Sequence, residues 1–232
     1  MKRLWIFLTL ITGLALAQVA FAATTTYSNV EDGSWQTCSR CAGANGTGPA
    51  TPHSVTHVTS PSLDGHSAQF SVGHSSAYSN AYWWRTYSGS SSTNFIYDIY
   101  FYAKTPRSSQ ALEFDLNQMI GGKWYIFGTE CVLAGTPHWD VYDPYNHAWR
   151  TTSIGCSVPA YKWNHLIIEF NRANGKTGFV SVTMNGVKHY FNRAYAPRGS
   201  SSYATTVAFQ MDENSSGTGY SVWVDKLKVT KW

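Results

Sequence analysis

A short alternating stretch contains the residues best suited to chemistry. From Leu112 to Asn117 the chain reads L-E-F-D-L-N. Because side chains alternate across a strand, Glu113, Asp115 and Asn117 are predicted to form one polar row while their apolar neighbours face a core. Neighbours in such a row lie roughly 6.6 to 7 Å apart, so they can grip one sugar ring or raise each other's pKa. A half-buried strand whose polar face only meets water shows the same pattern, and the stretch alone leaves both interpretations open.

The first residues predict export. Lys2 and Arg3 precede an apolar run, and the sequence A-F-A ending at Ala22 supplies a small-x-small cleavage pattern. These features are typical of a secretory signal peptide over residues 1–22, which leaves a mature chain of residues 23–232. The run is too short for a membrane anchor. We therefore expect a secreted, periplasmic or extracellular protein with one all-β domain.

Composition excludes one class of partner. The formal net charge is +4, and it falls to +2 without Lys2 and Arg3. This weak, scattered excess does not form the basic patch that nucleic-acid binding needs. The chain is instead rich in tryptophan, tyrosine, serine and glycine, a mixture that suits strands, turns and flat aromatic contact surfaces.

Four cysteines in an exported chain are most simply two disulfides. We expect Cys38 to pair with Cys41 in a tight loop and Cys131 to pair with Cys156 across the middle of the fold. A four-cysteine zinc site is the alternative, but only one of the two pairs has CxxC spacing and the compartment does not favour it.

The regular part of the chain begins near Ala68 and shows strand-like alternation without a sustained helical period. Lys123 to Leu133 is predicted to pair with the strand of Glu113 and contains Glu130. Since the sequence does not fix the register of that pair, the face on which Glu130 lies is left open. Asn185-Gly186 predicts a type I′ hairpin turn.

Three segments near the C-terminus resemble a known superfamily. These are W-N-H-L-I-I-E-F-N-R from Trp163, V-S-V-T-M-N-G-V from Val180 and V-W-V-D-K-L-K-V-T from Val222. They are similar to segments of the concanavalin-A-like lectin/glucanase superfamily, including laminin-G-type domains. The resemblance covers mainly Glu113 to Lys228. It implies an all-β, two-sheet antiparallel jelly-roll sandwich whose concave face binds glycans in many members.

Glycoside hydrolases of this superfamily have the motif E-x-D-x-E or E-x-D-x-x-E on a concave strand. The first Glu is the nucleophile and the last is the general acid/base. Glu113 and Asp115 match the first two positions, but Asn117 and Gln118 stand where the last Glu would fall. Because an amide cannot donate a proton at neutral pH, the resemblance implies a degenerate site unless Glu130 supplies the second carboxyl group.

The leading hypothesis is a secreted glycan-binding domain that recognises a polysaccharide in a concave groove. The predicted ligand-binding residues combine carboxylates and amides for hydrogen bonding with tryptophans for stacking. They are Glu113, Asp115, Asn117, Trp124, Trp149, Gln210, Asp212 and Trp223.

The alternative is a polysaccharide-cleaving enzyme. A hydrolase would use Glu113, Asp115 and Glu130 as catalytic residues. A lyase would need a cation and a base around a uronate, for which Arg85, His165 and Tyr125 are candidates. A structural or surface-interaction domain without a sugar site is a third interpretation, and the sequence does not decide whether the protein is an enzyme.

No metal site or cofactor is predicted from the residues themselves. The superfamily resemblance nevertheless implies that a structural calcium ion can be present. The expected partner is a polysaccharide or another glycan, and the sequence leaves the oligomeric state open.

Overall fold

The alternating segments form an all-β structure. A computed structural model of the protein describes residues 23–39 and 49–232. Its strands are β1 (Thr25–Tyr27), β2 (Gln36–Ser39), β3 (His53–Val58), β4 (Ser67–Val72), β5 (Asn80–Ser88), β6 (Asn94–Ala103), β7 (Ser109–Ile120), β8 (Lys123–Phe127), β9 (Thr129–Val132), β10 (His138–Asp143), β11 (Ala148–Gly155), β12 (Trp163–Asn171), β13 (Thr177–Met184), β14 (Val187–Tyr195), β15 (Arg198–Gly199), β16 (Ala204–Glu213) and β17 (Tyr220–Lys231).

Helix is scarce, as the absence of a helical period predicts. Within the described ranges the helical segments are three short 3₁₀ turns, at Val30–Asp32, Pro106–Ser108 and Ala173–Gly175. None of these turns approaches the length or apolar character that a membrane-spanning helix requires.

Two antiparallel sheets pack against each other, so the predicted two-sheet sandwich is confirmed. The eight-stranded sheet has the order β14-β13-β12-β6-β17-β4-β3, with β1 on β17. The nine-stranded sheet has the order β11-β10-β9-β7-β16-β5-β2, with β8 on β7 and β15 on β8. Strand β7 is the long element at the middle of the nine-stranded sheet. It therefore determines where the row of Glu113 stands.

The core lies between the sheets and is built from the inward half of each alternating strand. Leu112, Phe114 and Leu116 on β7 are fully buried in it, and each such side chain contributes about 1.5–3 kcal/mol of burial free energy. Trp83 is also fully buried, whereas its neighbour Trp84 is partly exposed. Adjacent tryptophans thus point to opposite faces, as the extended conformation requires.

Several local features match the sequence. Asn185 and Gly186 have φ angles of 51° and 85°, the left-handed pair that a type I′ turn needs between β13 and β14. The disulfide Cys131–Cys156 is present, with its Cα atoms 5.7 Å apart. The predicted signal peptide and Cys41 lie outside the described residues, so cleavage after Ala22 and the Cys38–Cys41 pair stay predictions.

Candidate functional site

The polar row of β7 lies on the outward face of the nine-stranded sheet. Glu113 stands opposite Gln210 of β16 on one side and opposite Glu130 of β9 on the other. The register that the sequence left open therefore places Glu130 on the same face as Glu113. Asp212 follows two residues after Gln210 on β16, which puts it on this face as well.

Three of these carboxylates form a compact cluster. Oxygen atoms of Glu113, Glu130 and Asp212 all lie within 4.8 Å of one another. The Gln210 side-chain amide joins the cluster because its Nε2 donates hydrogen bonds to Glu113 Oε1 and, at 2.9 Å, to Asp212 Oδ1. We call Glu113, Asp115, Glu130 and Asp212, with Gln210, the acidic cluster.

Burial controls the protonation of the two glutamates. Desolvation raises the pKa of Glu113 well above its ordinary value, and the negative charges of Asp212 and Asp115 raise it further. Desolvation, with Asp212 and Asp140 nearby, raises the pKa of Glu130 to about 9. Glu130 therefore holds a proton at neutral pH, and the raised pKa of Glu113 favours its protonated form, in which it donates a hydrogen bond to Asp212.

The two aspartates of the acidic cluster ionise more readily. Burial raises the pKa of Asp115 to about 7, although the Thr129 amide opposes the shift by donating to Asp115 Oδ1 at 3.2 Å. The pKa of Asp212 rises only to about 6, since hydrogen bonds from Glu113 and Gln210 favour its charged form. Negative charge at neutral pH is thus concentrated on the aspartates.

A cavity of about 140 Å³ opens beside the acidic cluster. This volume is roughly ten times the minimum that one water molecule requires, so the cavity can hold several waters or part of a sugar chain. Its lining combines carboxylates, an amide, aromatic rings and one guanidinium group, from Tyr82, Glu113, Asp115, Asn117, Trp124, Ile126, Gly128, Tyr142, Trp149 and Arg198.

Gly128 keeps the cavity open. A Cβ atom at this position would lie 3.0 Å from Tyr142 Cβ and 3.4 Å from the Trp149 ring. The absence of a side chain lets Tyr142 and Trp149 approach Asp115, and the rings of the two aromatic residues pack edge to face with centroids 5.2 Å apart. These two residues form one wall of the cavity.

Three lining residues present polar atoms without a hydrogen-bond partner in the described structure. They are Asn117 Oδ1, Trp124 Nε1 and Tyr142 Oη, all inaccessible to solvent. Leaving a buried polar atom unpaired costs about 1–3 kcal/mol. Unpaired groups that converge on one cavity therefore indicate that a polar ligand or ordered water completes their hydrogen bonding.

Arg198 supplies the one guanidinium group among the residues that line the cavity. Arg198 lies over the Trp124 ring, with Cζ 5.6 Å from the ring centroid. Its strand, β15, pairs with β8 through the same tryptophan. This cation–π contact holds a flat indole face at the edge of the cavity.

The structure brings most of the sequence-predicted site residues together. Glu113, Asp115, Asn117, Trp124 and Trp149 line the cavity. Glu130, Gln210 and Asp212 lie beside it in the acidic cluster.

Trp223 is the exception, and its placement corrects the predicted binding set. It belongs to β17 of the eight-stranded sheet, next to Tyr102 on β6, with the two ring centroids 5.7 Å apart. Because strand periodicity reports the face of a residue and not its sheet, the sequence could not separate Trp223 from the other tryptophans.

The structure also separates the residues considered for a lyase. Tyr125 is buried in the core. His165 lies on the eight-stranded sheet, where its Nε2 contacts Asp98 at 2.8 Å. Arg85 donates to the Val30 carbonyl oxygen. These three side chains do not share a site, so the combination proposed for uronate chemistry is wrong.

Five residues of the cavity lining were not predicted from the sequence, and three of them, Tyr82, Tyr142 and Arg198, have polar side chains. These three residues come from β5, β10 and β15. Each of these strands is joined to β7 through an intervening strand and does not pair with β7 directly. Tyr142 had a usable signal, since it follows Asp140 with period two in the predicted hairpin strand from His138. Arg198 had none, because β15 is only two residues long.

The chain can hold a cation at the acidic cluster, since three carboxylate oxygens lie close together there. Carboxylate oxygens suit hard cations and ammonium groups alike. Among the described residues, this is the one group of three carboxylate, histidine or cysteine side chains whose ligand atoms lie that close to one another. When no cation is bound, the carboxyl groups of the acidic cluster share protons with one another.

Comparison with known proteins identifies the fold. No protein-family model and no curated protein sequence matches the chain. Among solved structures, peanut lectin with a 9mer peptide is similar, with a TM-score of 0.55 and 11% identity, over 91% of this chain and 98% of that chain. Winged bean acidic lectin complexed with methyl-α-D-galactose has a TM-score of 0.53 and 9% identity, over 90% and 98%.

An enzyme shares the same architecture. Endo-β-1,4-glucuronan lyase from the fungus Trichoderma reesei has a TM-score of 0.52 and 10% identity, over 79% of this chain and 90% of that chain. The fold of the present protein is therefore the concanavalin-A-like jelly-roll sandwich that the sequence resemblance implied. Identities this low establish the fold, and the function must be argued from the site.

Proposed function

We propose that this protein binds a glycan, and that one or more sugar units of a polysaccharide occupy the cavity beside the acidic cluster. Sugars present hydroxyl groups on their edges and apolar C–H groups on their faces. The cavity offers partners for both, because hydrogen-bonding groups lie next to the rings of Trp124 and Trp149. Lectins share this fold, which agrees with the proposal.

The observation that carries the proposal is the convergence of unpaired polar atoms. Asn117 Oδ1 accepts, Trp124 Nε1 donates, and Tyr142 Oη can do either. A sugar hydroxyl is both donor and acceptor, so one sugar ring can satisfy groups of each kind. An apolar ligand would leave them unpaired at a cost of about 1–3 kcal/mol each.

A binding panel tests the proposal. The mature protein is run by affinity electrophoresis through gels that contain plant or microbial polysaccharides, and retained pairs are quantified by calorimetry. Trp149→Ala should reduce retention, while Trp163→Ala, on the eight-stranded sheet, should not. Absence of retention by any glycan, or equal retention by Trp149→Ala and the parent protein, would refute glycan binding in this cavity.

Glycoside hydrolysis is a second candidate, favoured by one distance. Retaining hydrolases hold two carboxyl groups about 5–5.5 Å apart, and oxygen atoms of Glu113 and Glu130 lie within 4.8 Å of each other. The raised pKa of Glu130, about 9, suits a general acid. Glu130 would then replace the glutamate that is missing at positions 117 and 118.

Hydrolysis is the weaker candidate because the raised pKa of Glu113, which would be the nucleophile, favours its protonated form. A carboxylate nucleophile must be ionised, whereas burial and neighbouring negative charges keep the pKa of Glu113 high. New reducing ends, measured on each glycan that the protein retains, would support hydrolysis. Glu113→Gln and Glu130→Gln should each abolish that activity, and release that persists in both variants would exclude this pair as catalytic residues.

We propose a structural calcium site away from the cavity, at Asp225 on β17. Asp225 is fully buried, and its Oδ1 has no hydrogen-bond partner in the described structure. The Leu63 amide donates to Asp225 Oδ2 at 2.6 Å. Burial raises the Asp225 pKa, and the negative charge of Asp64 raises it further. Two nearby carboxylates with an unpaired buried oxygen suit a hard cation. Asp225 and Asp64 would hold this ion, which would neutralise their repulsion.

We infer that the protein acts outside the cytoplasm, either in the periplasm or in the extracellular space. The Cys131–Cys156 disulfide supports this location because structural disulfides persist in oxidising compartments. The predicted signal peptide agrees with it. N-terminal sequencing of the exported protein should give Ala23 as the first residue, and recovery of intact Met1 would contradict processing.

A further inference from the structure

The charges around the cavity are strongly unbalanced. Glu113, Asp115, Glu130 and Asp212 lie together, and none of the ion pairs of the described residues includes any of the four. Asp140, opposite Glu130 on β10, has His138 as its partner at 3.2 Å. Arg198 lines the same cavity but lies over the Trp124 ring, and no ion pair joins it to the acidic cluster. Among the residues that the structure describes, the acidic cluster therefore has no cationic side chain as an ion-pair partner.

A second observation on this side of the cavity also points to a ligand. Tyr142 is 4% exposed and lines the cavity together with Glu113 and Asp115. Its Oη, the only polar atom of the side chain, has no hydrogen-bond partner in the described structure. Asn117 Oδ1, from the same polar row of β7, is likewise unpaired. Two residues that line the cavity next to Glu113 and Asp115 thus each carry a buried oxygen atom without a hydrogen-bond partner.

We propose that the preferred ligand is a cationic amino sugar, as in a polymer of glucosamine type, whose ammonium group contacts Asp115 and Asp212, the two aspartates of the acidic cluster. This inference rests on the proposed glycan binding and specifies its substrate class. An ammonium group brings three hydrogen-bond donors and no acceptor. It therefore complements a surface dominated by oxygen acceptors, and its bonds to carboxylates are charge-assisted.

Other sugar classes fit less well. A uronate would bring a further negative charge next to the ionised aspartates, and repulsion at short range in a poorly solvated site would weaken its binding. A neutral sugar can pair with Asn117, Trp124 and Tyr142, yet it leaves the charge of the acidic cluster uncompensated. An N-acetylated amino sugar keeps the shape of the ring but loses the cation.

The test compares ligands that differ in charge at a single position. Calorimetry at pH 6.5, in EDTA to remove metal ions, measures Kd for a glucosamine oligomer and for its N-acetylated, glucose and uronate counterparts of equal length. We expect the glucosamine oligomer to bind at least tenfold more tightly than the N-acetylated and glucose oligomers, and the uronate oligomer to bind most weakly.

Variants locate the preference. Asp212→Asn and Asp115→Asn preserve side-chain shape and should reduce the preference for glucosamine over N-acetylglucosamine to about threefold or less. Glu169→Gln removes a surface carboxylate that contacts Lys188 and should keep the parent preference. Both cluster variants should retain the thermal midpoint of the parent protein to within a few degrees, which separates recognition from folding.

The outcomes distinguish the two proposals. Glycan binding in the cavity without a preference for glucosamine would overturn the cationic ligand and leave the proposed function in place. A preference that survives both cluster variants would place the recognition elsewhere and would also overturn the inference. Failure of every glycan to bind would overturn the proposed function, and the present inference with it.

Discussion

Glu113 of β7 and Glu130 of β9 stand directly opposite each other on the outward face of the nine-stranded sheet. Two buried carboxyl groups in this position cannot both be charged without strong repulsion. The chain resolves the conflict by retaining protons, since the pKa values of both residues are raised. Clustered carboxyl groups with raised pKa values are typical of functional sites, which supports the proposal that a ligand binds at the acidic cluster.

The first prediction concerns stability and pH. Folded-state pKa values of Asp212, Asp115 and Glu130 rise to about 6, 7 and 9. The pKa values of the same groups in the unfolded chain lie near 4. From about pH 4 to the folded-state values, the folded chain therefore binds more protons than the unfolded chain. Their stabilising effect is complete below about pH 4 and is lost as pH rises through the folded values. We expect the free energy of unfolding, measured with urea in EDTA, to fall from pH 5 to pH 9.

Glu130→Gln provides the matched comparison for that experiment. The amide cannot ionise, so this variant should match the parent at pH 5 and be more stable at pH 9. The gain is limited to about 1.4 kcal/mol per pH unit, because one group is involved. Glu169→Gln, at a surface ion pair, should follow the parent. If the free energy of unfolding fell equally with pH in the parent and in Glu130→Gln, the raised pKa of Glu130 would be disproved.

The second prediction separates stability from binding at Tyr142. Since Tyr142 Oη is buried without a partner, Tyr142→Phe should leave the free energy of unfolding unchanged or raise it by about 1 kcal/mol. The same change removes a ligand hydrogen bond and should weaken glycan binding about 3- to 10-fold, the equivalent of about 0.5–1.5 kcal/mol. A clear loss of stability in urea unfolding would show that the hydroxyl has a structural partner.

The third prediction concerns the aromatic wall of the cavity. Trp149→Ala removes a ring that packs against Tyr142 and should weaken glycan binding about tenfold, or about 1.4 kcal/mol. Trp163 is partly exposed on the other sheet, beside Tyr102, so Trp163→Ala is the control. Calorimetric Kd values for both variants check the assignment. A larger effect at Trp163 would move the binding surface to the eight-stranded sheet.

The fourth prediction concerns the disulfide. Cys131 lies on β9, one residue after Glu130, and its bond to Cys156 closes a loop with a sequence separation of 25. Replacing both cysteines with serine should lower the free energy of unfolding by about 3 kcal/mol, chiefly because the unfolded chain gains freedom. Urea unfolding of the oxidised parent and the double variant measures the difference. Equal midpoints would show that the bond does not stabilise this fold.

The fifth prediction tests the calcium site. If Asp225 and Asp64 hold an ion, calcium should raise the thermal midpoint of the EDTA-treated parent protein. Asp225→Asn should remove most of that response. Asp212→Asn, in the acidic cluster, should retain it. An identical calcium response in the parent and Asp225→Asn would exclude Asp225 as a ligand.

The sequence predicted the parts of the structure that depend on local pattern. Alternation placed Leu112, Phe114 and Leu116 inside, and Glu113, Asp115 and Asn117 outside, since a strand fixes that choice residue by residue. The hairpin at Asn185-Gly186 followed from the backbone angles that those two residues tolerate. The Cys131–Cys156 disulfide followed from cysteine count and compartment.

What the sequence could not give is the pairing between distant strands. The contact of Glu113 with Gln210 joins strands almost a hundred residues apart, and no local signal encodes it. The same gap explains the error at Trp223, whose strand belongs to the other sheet, and the omission of Arg198, whose position depends on β15 meeting β8. Sheet membership and register are set by the whole core.

Glycan binding in the cavity is tested most directly at the indole N–H of Trp124, which is buried without a partner. In ¹H–¹⁵N spectra of the protein, assigned with Trp124→Phe, saturating amounts of a retained oligosaccharide should move the Trp124 indole signal downfield as it gains a hydrogen bond. The indole signal of Trp83 in the core should stay in place. An unmoved Trp124 signal under saturation would contradict the placement of the ligand in this cavity.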